Sequence, residues 1–135
     1  MIKFEKRNVN PKGKKTGDCV IRALTVATGK KYEDIYRELF EISLKTGWIL
    51  NEKRVEDKLL ERYGFVKHKQ PRKYDNTKYT IGEIDQITNG LHVDGKEVKT
   101  VVIRCAHHLT VVVDNTLVDT WDCRYKCISN YYTKS

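Results

Sequence analysis

Between residues 19 and 63 the apolar positions recur three times at helical spacing. Val20, Ala23, Leu24 and Ala27 share one face, which predicts a helix over Cys19–Thr28 stopped by Gly29. Ile35, Leu39 and Ile42 predict a second helix over Tyr32–Lys45, with acids in its first turn and Gly47 at its end. Val55, Leu59 and Tyr63 predict a third, capped by Asn51 and ended by Gly64. Beyond Gly64 the period shortens. Phe65–His68 reads as a short strand, residues 69–79 as a polar surface loop, and Thr80-Ile81-Gly82-Glu83 as a capping box opening a short helix through Thr88. Asn89-Gly90 breaks that helix, and Asp94-Gly95 predicts a hairpin turn. Strands are then expected over Val98–Arg104, Leu109–Val113 and Leu117–Trp121, with the tail through Ile128 and Tyr131-Tyr132 adding another or packing across the sheet. Helices followed by strands predict an α+β fold, N-terminal helices packed on a C-terminal antiparallel sheet, with residues 1–17 extended.

The chain of 135 residues has the length of one domain, residues 1–135, and its balance of 39% hydrophobic to 33% charged residues is that of a soluble protein. No apolar run has the length of a membrane span, and MIKFEKRNVN lacks the apolar core of a signal peptide. A cytoplasmic location is expected, where the four cysteines are reduced thiols, metal ligands or a nucleophile rather than a disulfide framework. The net charge of +8 is unevenly placed: residues 1–31 hold nine Lys and Arg against Glu5 and Asp18. A basic end recruits nucleic acid or an acidic protein, or simply keeps an arm solvated. No aromatic interleaves with Lys12, Lys14 and Lys15, which argues against a stacking platform for single strands.

The chemistry lies in two distant segments. Gly17-Asp18-Cys19 opens the first helix, and a helix N-terminus favours a thiolate through its free N–H groups and dipole. The Cys19 N–H is also placed to meet a developing oxyanion. His108 stands at the mouth of a buried strand, where an imidazole can take the thiol proton and return it to a leaving group. His107 is expected on the opposite face of that strand. If Asp114-Asn115 forms a two-residue turn, Thr110 pairs with Asp119 and His108 with Trp121, so Asp119 lies on the His108 face one step away. A slip of one residue puts Asp122 there instead. Either acid would hold the imidazole in its useful tautomer.

These segments, GDCVIRAL near the N-terminus and HLTVVVDNTLVDTWD near the C-terminus, resemble small papain-like cysteine peptidases. The group includes bacteriophage-encoded members and relatives of bacteriocin-processing peptidases, whose setting would be the host cytoplasm. The resemblance covers residues 8–132 in outline and implies Cys19 as nucleophile, His108 as base and Asp119 as orienting acid, with a protein or peptide as substrate and no cofactor. Papain-like peptidases commonly place a Gln about six residues before the nucleophile; here that position is Gly13, so Asn8, Asn10 or Thr16 is the candidate oxyanion donor. Two other readings compete. Cys105, His107, His108, Cys123 and Cys127 cluster in the last third, and thiolate with imidazole suits zinc, although Cys105-x-His107 is too tight for the usual spacing. Alternatively the fold serves without catalysis, with Lys12, Lys14 and Lys15 engaging nucleic acid or an acidic protein in a salt-sensitive way.

Overall fold

The structure, a computed structural model, describes residues 1–88, 92–93 and 96–134. Three helices come first: α1 (Cys19–Thr28), α2 (Tyr32–Thr46) and α3 (Lys53–Arg62). Helix α1 ends because Gly29 turns left-handed, φ 72°, and returns its N–H to the Thr25 carbonyl at 3.0 Å, a conformation that costs glycine nothing. The start of α3 differs from expectation. Glu52, in extended conformation, precedes its first turn, and Asn51 lies outside the helix. Thr80 and Glu83 make the anticipated capping contact: the Thr80 N–H and hydroxyl both donate to Glu83 Oε1 at 3.0 Å. They open a 3₁₀ turn, Ile81–Glu83, followed by a four-residue helix, α4 (Asp85–Thr88). The expected break at Asn89-Gly90 and turn at Asp94-Gly95 lie outside the described residues.

The strands are β1 (Lys3–Lys6), β2 (Phe65–His68), the small pair β3 (His92–Val93) and β4 (Lys96–Glu97), then β5 (Thr100–Cys105), β6 (His108–Val113), β7 (Thr116–Asp119) and β8 (Asn130–Lys134). Six of them form one sheet in the order β1-β7-β6-β5-β8-β2. This is a mixed sheet, not the antiparallel one expected, because β1 joins the β7 edge in parallel. The alternating KFEK of β1 was hidden in a charge-rich arm, and its pairing partner lies more than a hundred residues away. The tail does supply a strand: β8 sits between β5 and β2.

The sheet has apolar cover on both faces. Val102, Leu109, Val111, Val118 and Tyr132 pack with Leu24, Ile35, Leu39, Val55 and Leu59 of the helices. On the other face Val101, Ile103, Val112 and Leu117 meet Ile81, Ile84, Cys123 and Ile128. Leu24, Leu59 and Leu117 keep no exposed surface, and each such burial stabilises the fold by about 2 kcal/mol. Strand period thus sends Leu109 and Val111 of β6 to one core and Val112 to the other.

No helix among the described residues is long and apolar enough to cross a membrane.

Candidate active site

Cys19 is the first residue of α1, and Asp18 before it is the capping residue. Asp18 is buried and its carboxylate does not cap the helix. It turns instead to three donors: Arg22 Nε at 2.8 Å, Tyr32 Oη at 2.7 Å and Asn10 Nδ2 at 3.0 Å. The N–H groups at the Cys19 end of the helix therefore carry no side-chain cap, and the helix field falls on the thiol.

His108 reaches the same place from the sheet. It opens β6 just after the two-residue turn Ala106-His107, in which His107 is left-handed with φ 57°. His107 is therefore an exposed turn residue and does not occupy a strand face as expected. The next hairpin has the anticipated geometry: Asp114 and Asn115 both adopt positive φ, 48° and 59°, and Val113 pairs with Thr116. That register carries Asp119 to the position beside Thr110, and Asp119 Oδ2 meets His108 Nε2 at 2.7 Å. Thr110 Oγ1 donates to the same oxygen at 2.7 Å, while Arg22 Nη1 and the Thr120 N–H hold Oδ1 at 3.0 and 2.7 Å. Asp122 is exposed and paired with Arg124, away from the imidazole. Trp121 lies against His108, ring centroids 5.1 Å apart.

Strand β6 overruns β7 at this end, since β7 stops at Asp119 while β6 begins at His108. The Cys19 end of α1 meets the sheet there, and Cys19 and His108 line one cleft. Asp119 holds the imidazole through Nε2, which leaves Nδ1 for another partner.

The electrostatics follow from these contacts. Burial pushes the Cys19 thiol up, but the His108 and Leu109 hydrogen bonds and the His108 and Arg22 charges outweigh it, leaving the thiol below its ordinary value. Burial likewise opposes charge on His108, yet its bonds to Asp119, Cys123 and Cys19 raise it to about 12. Burial would raise Asp119; the His108 and Thr110 hydrogen bonds and the imidazolium charge bring it down to about 2. These contacts favour charge on His108 and Asp119 and shift the Cys19 thiol toward the thiolate.

The oxyanion candidates fare differently. Asn8 donates to the Lys14 carbonyl at 3.2 Å and accepts from the Asn10 N–H at 3.0 Å. Asn10 accepts from the Lys12 N–H as well as holding Asp18. Both amides fold the loop that precedes Cys19, and neither is directed at the thiol. Thr16 is exposed on the rim of two outer cavities. Asn51 instead lines a cleft of about 370 Å³ with Gly17, Cys19, His107 and His108. Reading it as a helix cap concealed this placement, and nothing local in the sequence points to it. Arg22 was missed as well, although it stands on the turn after Asp18 at the i,i+4 spacing of an ion pair.

Of the proposed zinc ligands, His108 and Cys123 come together, with Asp119, all ligand atoms lying within 4.8 Å of one another. Cys127 is exposed, and Cys105 is a buried thiol whose value burial raises. Sulfur, imidazole and carboxylate suit zinc, but His108 and Asp119 are the hydrogen-bonded pair already described. A cation there and that pair exclude each other.

Lys12, Lys14 and Lys15 line a cavity of about 740 Å³ facing Tyr32, Tyr36 and Phe40 of α2. The lysine run, with no aromatic interleaved in sequence, thus has aromatic neighbours in space. Comparison with protein-family models, curated proteins and solved structures gave no match for this chain.

Proposed function

We propose that this protein is a papain-like thiol hydrolase that cleaves or modifies an amide or isopeptide bond of a protein or peptide. The observation that carries the reading is the series Cys19–His108–Asp119: the thiol stands at a helix start in one cleft with His108, whose Nε2 meets Asp119 at 2.7 Å. The papain-like assignment rests on the same arrangement: a nucleophile helix laid on a sheet, with base and acid on neighbouring strands.

In this mechanism the Cys19 thiolate attacks the substrate carbonyl carbon, and the electron pair of the C=O bond moves to oxygen. The Cys19 N–H and the Asn51 amide are the donors for that oxyanion. The His108 imidazolium protonates the leaving amine as the C–N bond breaks, leaving an acyl thioester. Neutral His108 then takes a proton from water, whose hydroxide attacks the thioester, and the released thiolate recovers its proton-sharing contact with His108. Asp119 stays ionised throughout and fixes the ring. A side-chain amide would be deamidated by the same steps.

The test is alkylation of Cys19 by iodoacetamide across pH in the wild type and in His108→Ala. The wild type should react near neutral pH about tenfold or more faster than a free thiol, and the variant should lose that advantage. Equal, slow labelling of both proteins would sink the reading. Asn51→Ala should lower turnover by about 100-fold while leaving alkylation intact, because it serves the oxyanion and not the thiolate. The loop-bound amides of Asn8 and Asn10 favour a second reading, a binding protein on the same fold. Under that reading Cys19→Ser would be functionally silent.

A further inference from the structure

We propose that the groove between the Lys12–Thr16 loop and α2 is a docking site for an acidic polypeptide segment bearing apolar side chains, and that it feeds substrate to Cys19. The second clause rests on the hydrolase reading; the first does not.

The groove encloses about 740 Å³. One wall is cationic and exposed, with Lys12, Lys14 and Lys15 on the loop and Arg37 on α2. The other wall is aromatic. Tyr36 and Phe40 are 47% and 48% exposed, and Leu44, four residues on, is 70% exposed. Positions i, i+4 and i+8 form one stripe on a helix, here pointing away from the core that Ile35, Leu39 and Ile42 fill. An apolar stripe beside a cationic rim matches a partner that carries both apolar groups and carboxylates.

A polynucleotide suits it less well. Bases could stack on Tyr36 and Phe40, but Glu33 lies in the groove wall and Asp34, Glu38 and Glu41 share its helix. A continuous phosphate chain meets those acids wherever it leaves the lysines, whereas a polypeptide can place carboxylates at one wall and apolar groups at the other.

The groove also has an exit toward the chemistry. Lys14, Lys15 and Thr16 line a second cavity of about 380 Å³ as well, which continues to Asp18, Arg22 and Trp121. Trp121 contacts the His108 ring, and Asp18 precedes the thiol. A segment anchored in the groove therefore has a lined path to the edge of the Cys19 site. The loop holds its shape through Asn8 and Asn10, whose side chains bind the Lys14 carbonyl, the Lys12 N–H and Asp18. These amides build the docking wall.

The experiment uses the full chain carrying Cys19→Ser, so that binding is read without turnover. A fluorescein-labelled peptide of alternating glutamate and leucine is titrated by anisotropy, beside the same peptide with lysine for glutamate and an oligothymidylate of similar length. The acidic peptide should bind, and both K14E/K15E and Y36A/F40A should weaken it about tenfold. Added salt should weaken the wild type more than K14E/K15E. All four positions are exposed, and circular dichroism confirms folding of each variant. The proposal falls if the lysine peptide binds equally well, if neither double variant changes the affinity, or if the oligothymidylate binds more tightly than the acidic peptide. Alkylation of Cys19 in the K14E/K15E protein, measured separately, should match the wild type, so loss of docking and loss of the thiolate pair are distinguishable.

Discussion

Two arginines, each nearly buried, cross between the helices and the sheet, and they do different work. Arg22 rises from α1 and joins Asp18 to Asp119, with 12% of its side chain exposed. Arg104 descends from β5, with 8% exposed, and binds Glu56 at 2.6 Å and Tyr132 at 3.0 Å. The acids they hold respond in opposite ways. Asp18 and Asp119 sit below their ordinary values despite burial, because each has several further donors: Tyr32 and Asn10 for one, His108, Thr110 and the Thr120 N–H for the other. Glu56 is raised: its burial outweighs Arg104, and the neighbouring Asp57 adds to the rise. Arg104 recovers its own desolvation from Tyr132 and Glu56 together. A buried carboxylate stays ionised when several groups donate to it; one dependent on a single partner is poised to take a proton.

The comparison can be broken in several places. The largest effect should come from Asp119→Asn, which keeps the shape but removes the charge and allows the wrong imidazole tautomer. Turnover should fall on the order of 10⁴-fold, with alkylation of Cys19 at neutral pH falling beside it. Unchanged alkylation would mean that His108 is charged without Asp119.

Arg104→Met should come next, as a loss of stability. Glu56 loses its only described hydrogen-bond partner, and unfolding in urea at neutral pH should show a deficit of about 3–5 kcal/mol. As pH falls, Glu56 takes a proton and the deficit should shrink; adding Glu56→Gln should recover part of it. Cys19 reactivity should stay as in the wild type. A deficit independent of pH would contradict the single-partner account.

The pH dependence of the intact protein is the third expectation. Asp119 has a folded value of about 2, below its ordinary 3.8. Its contribution is therefore present above the ordinary value and lost as pH falls toward the folded one, an effect of about 2 kcal/mol. His108 is raised above its ordinary 6.5, so its contribution is full below that value and declines as pH climbs toward about 12. Urea midpoints of wild type and Asp119→Asn should converge as pH drops below about 4. Parallel curves would contradict this.

Arg22→Met should be the mildest in stability, about 1–2 kcal/mol, since Asp18 and Asp119 keep their other donors. It should still slow alkylation of Cys19, because its charge is one of the groups that lower the thiol.

Much of this arrangement was legible in the chain. Helical spacing located α1 with both its ends, and the Asp114-Asn115 turn with strand alternation brought Asp119, rather than Asp122, to His108. Local rules succeed there because one helix and one hairpin contain all the relevant pairings. Other features required contacts across long stretches of chain. Strand β1 needed an edge to join, Asn51 needed α3 to deliver it to the cleft, and Tyr36 and Phe40 needed a loop opposite them. The extended basic segment showed its charge but hid its strand and its groove, because lysines look alike whether they solvate an arm or wall a groove.

The sequence by itself determined the elements, the thiol at a helix start and the histidine and acid on paired strands, since these depend on period, caps and turns. Only the tertiary structure decided that Arg22 ties Asp18 to Asp119, that Asn8 and Asn10 build a loop, and that a cationic wall faces an aromatic one. Burial and the number of donors around a charge are properties of the packed chain, and they set which groups are ionised and which surfaces are open to a partner.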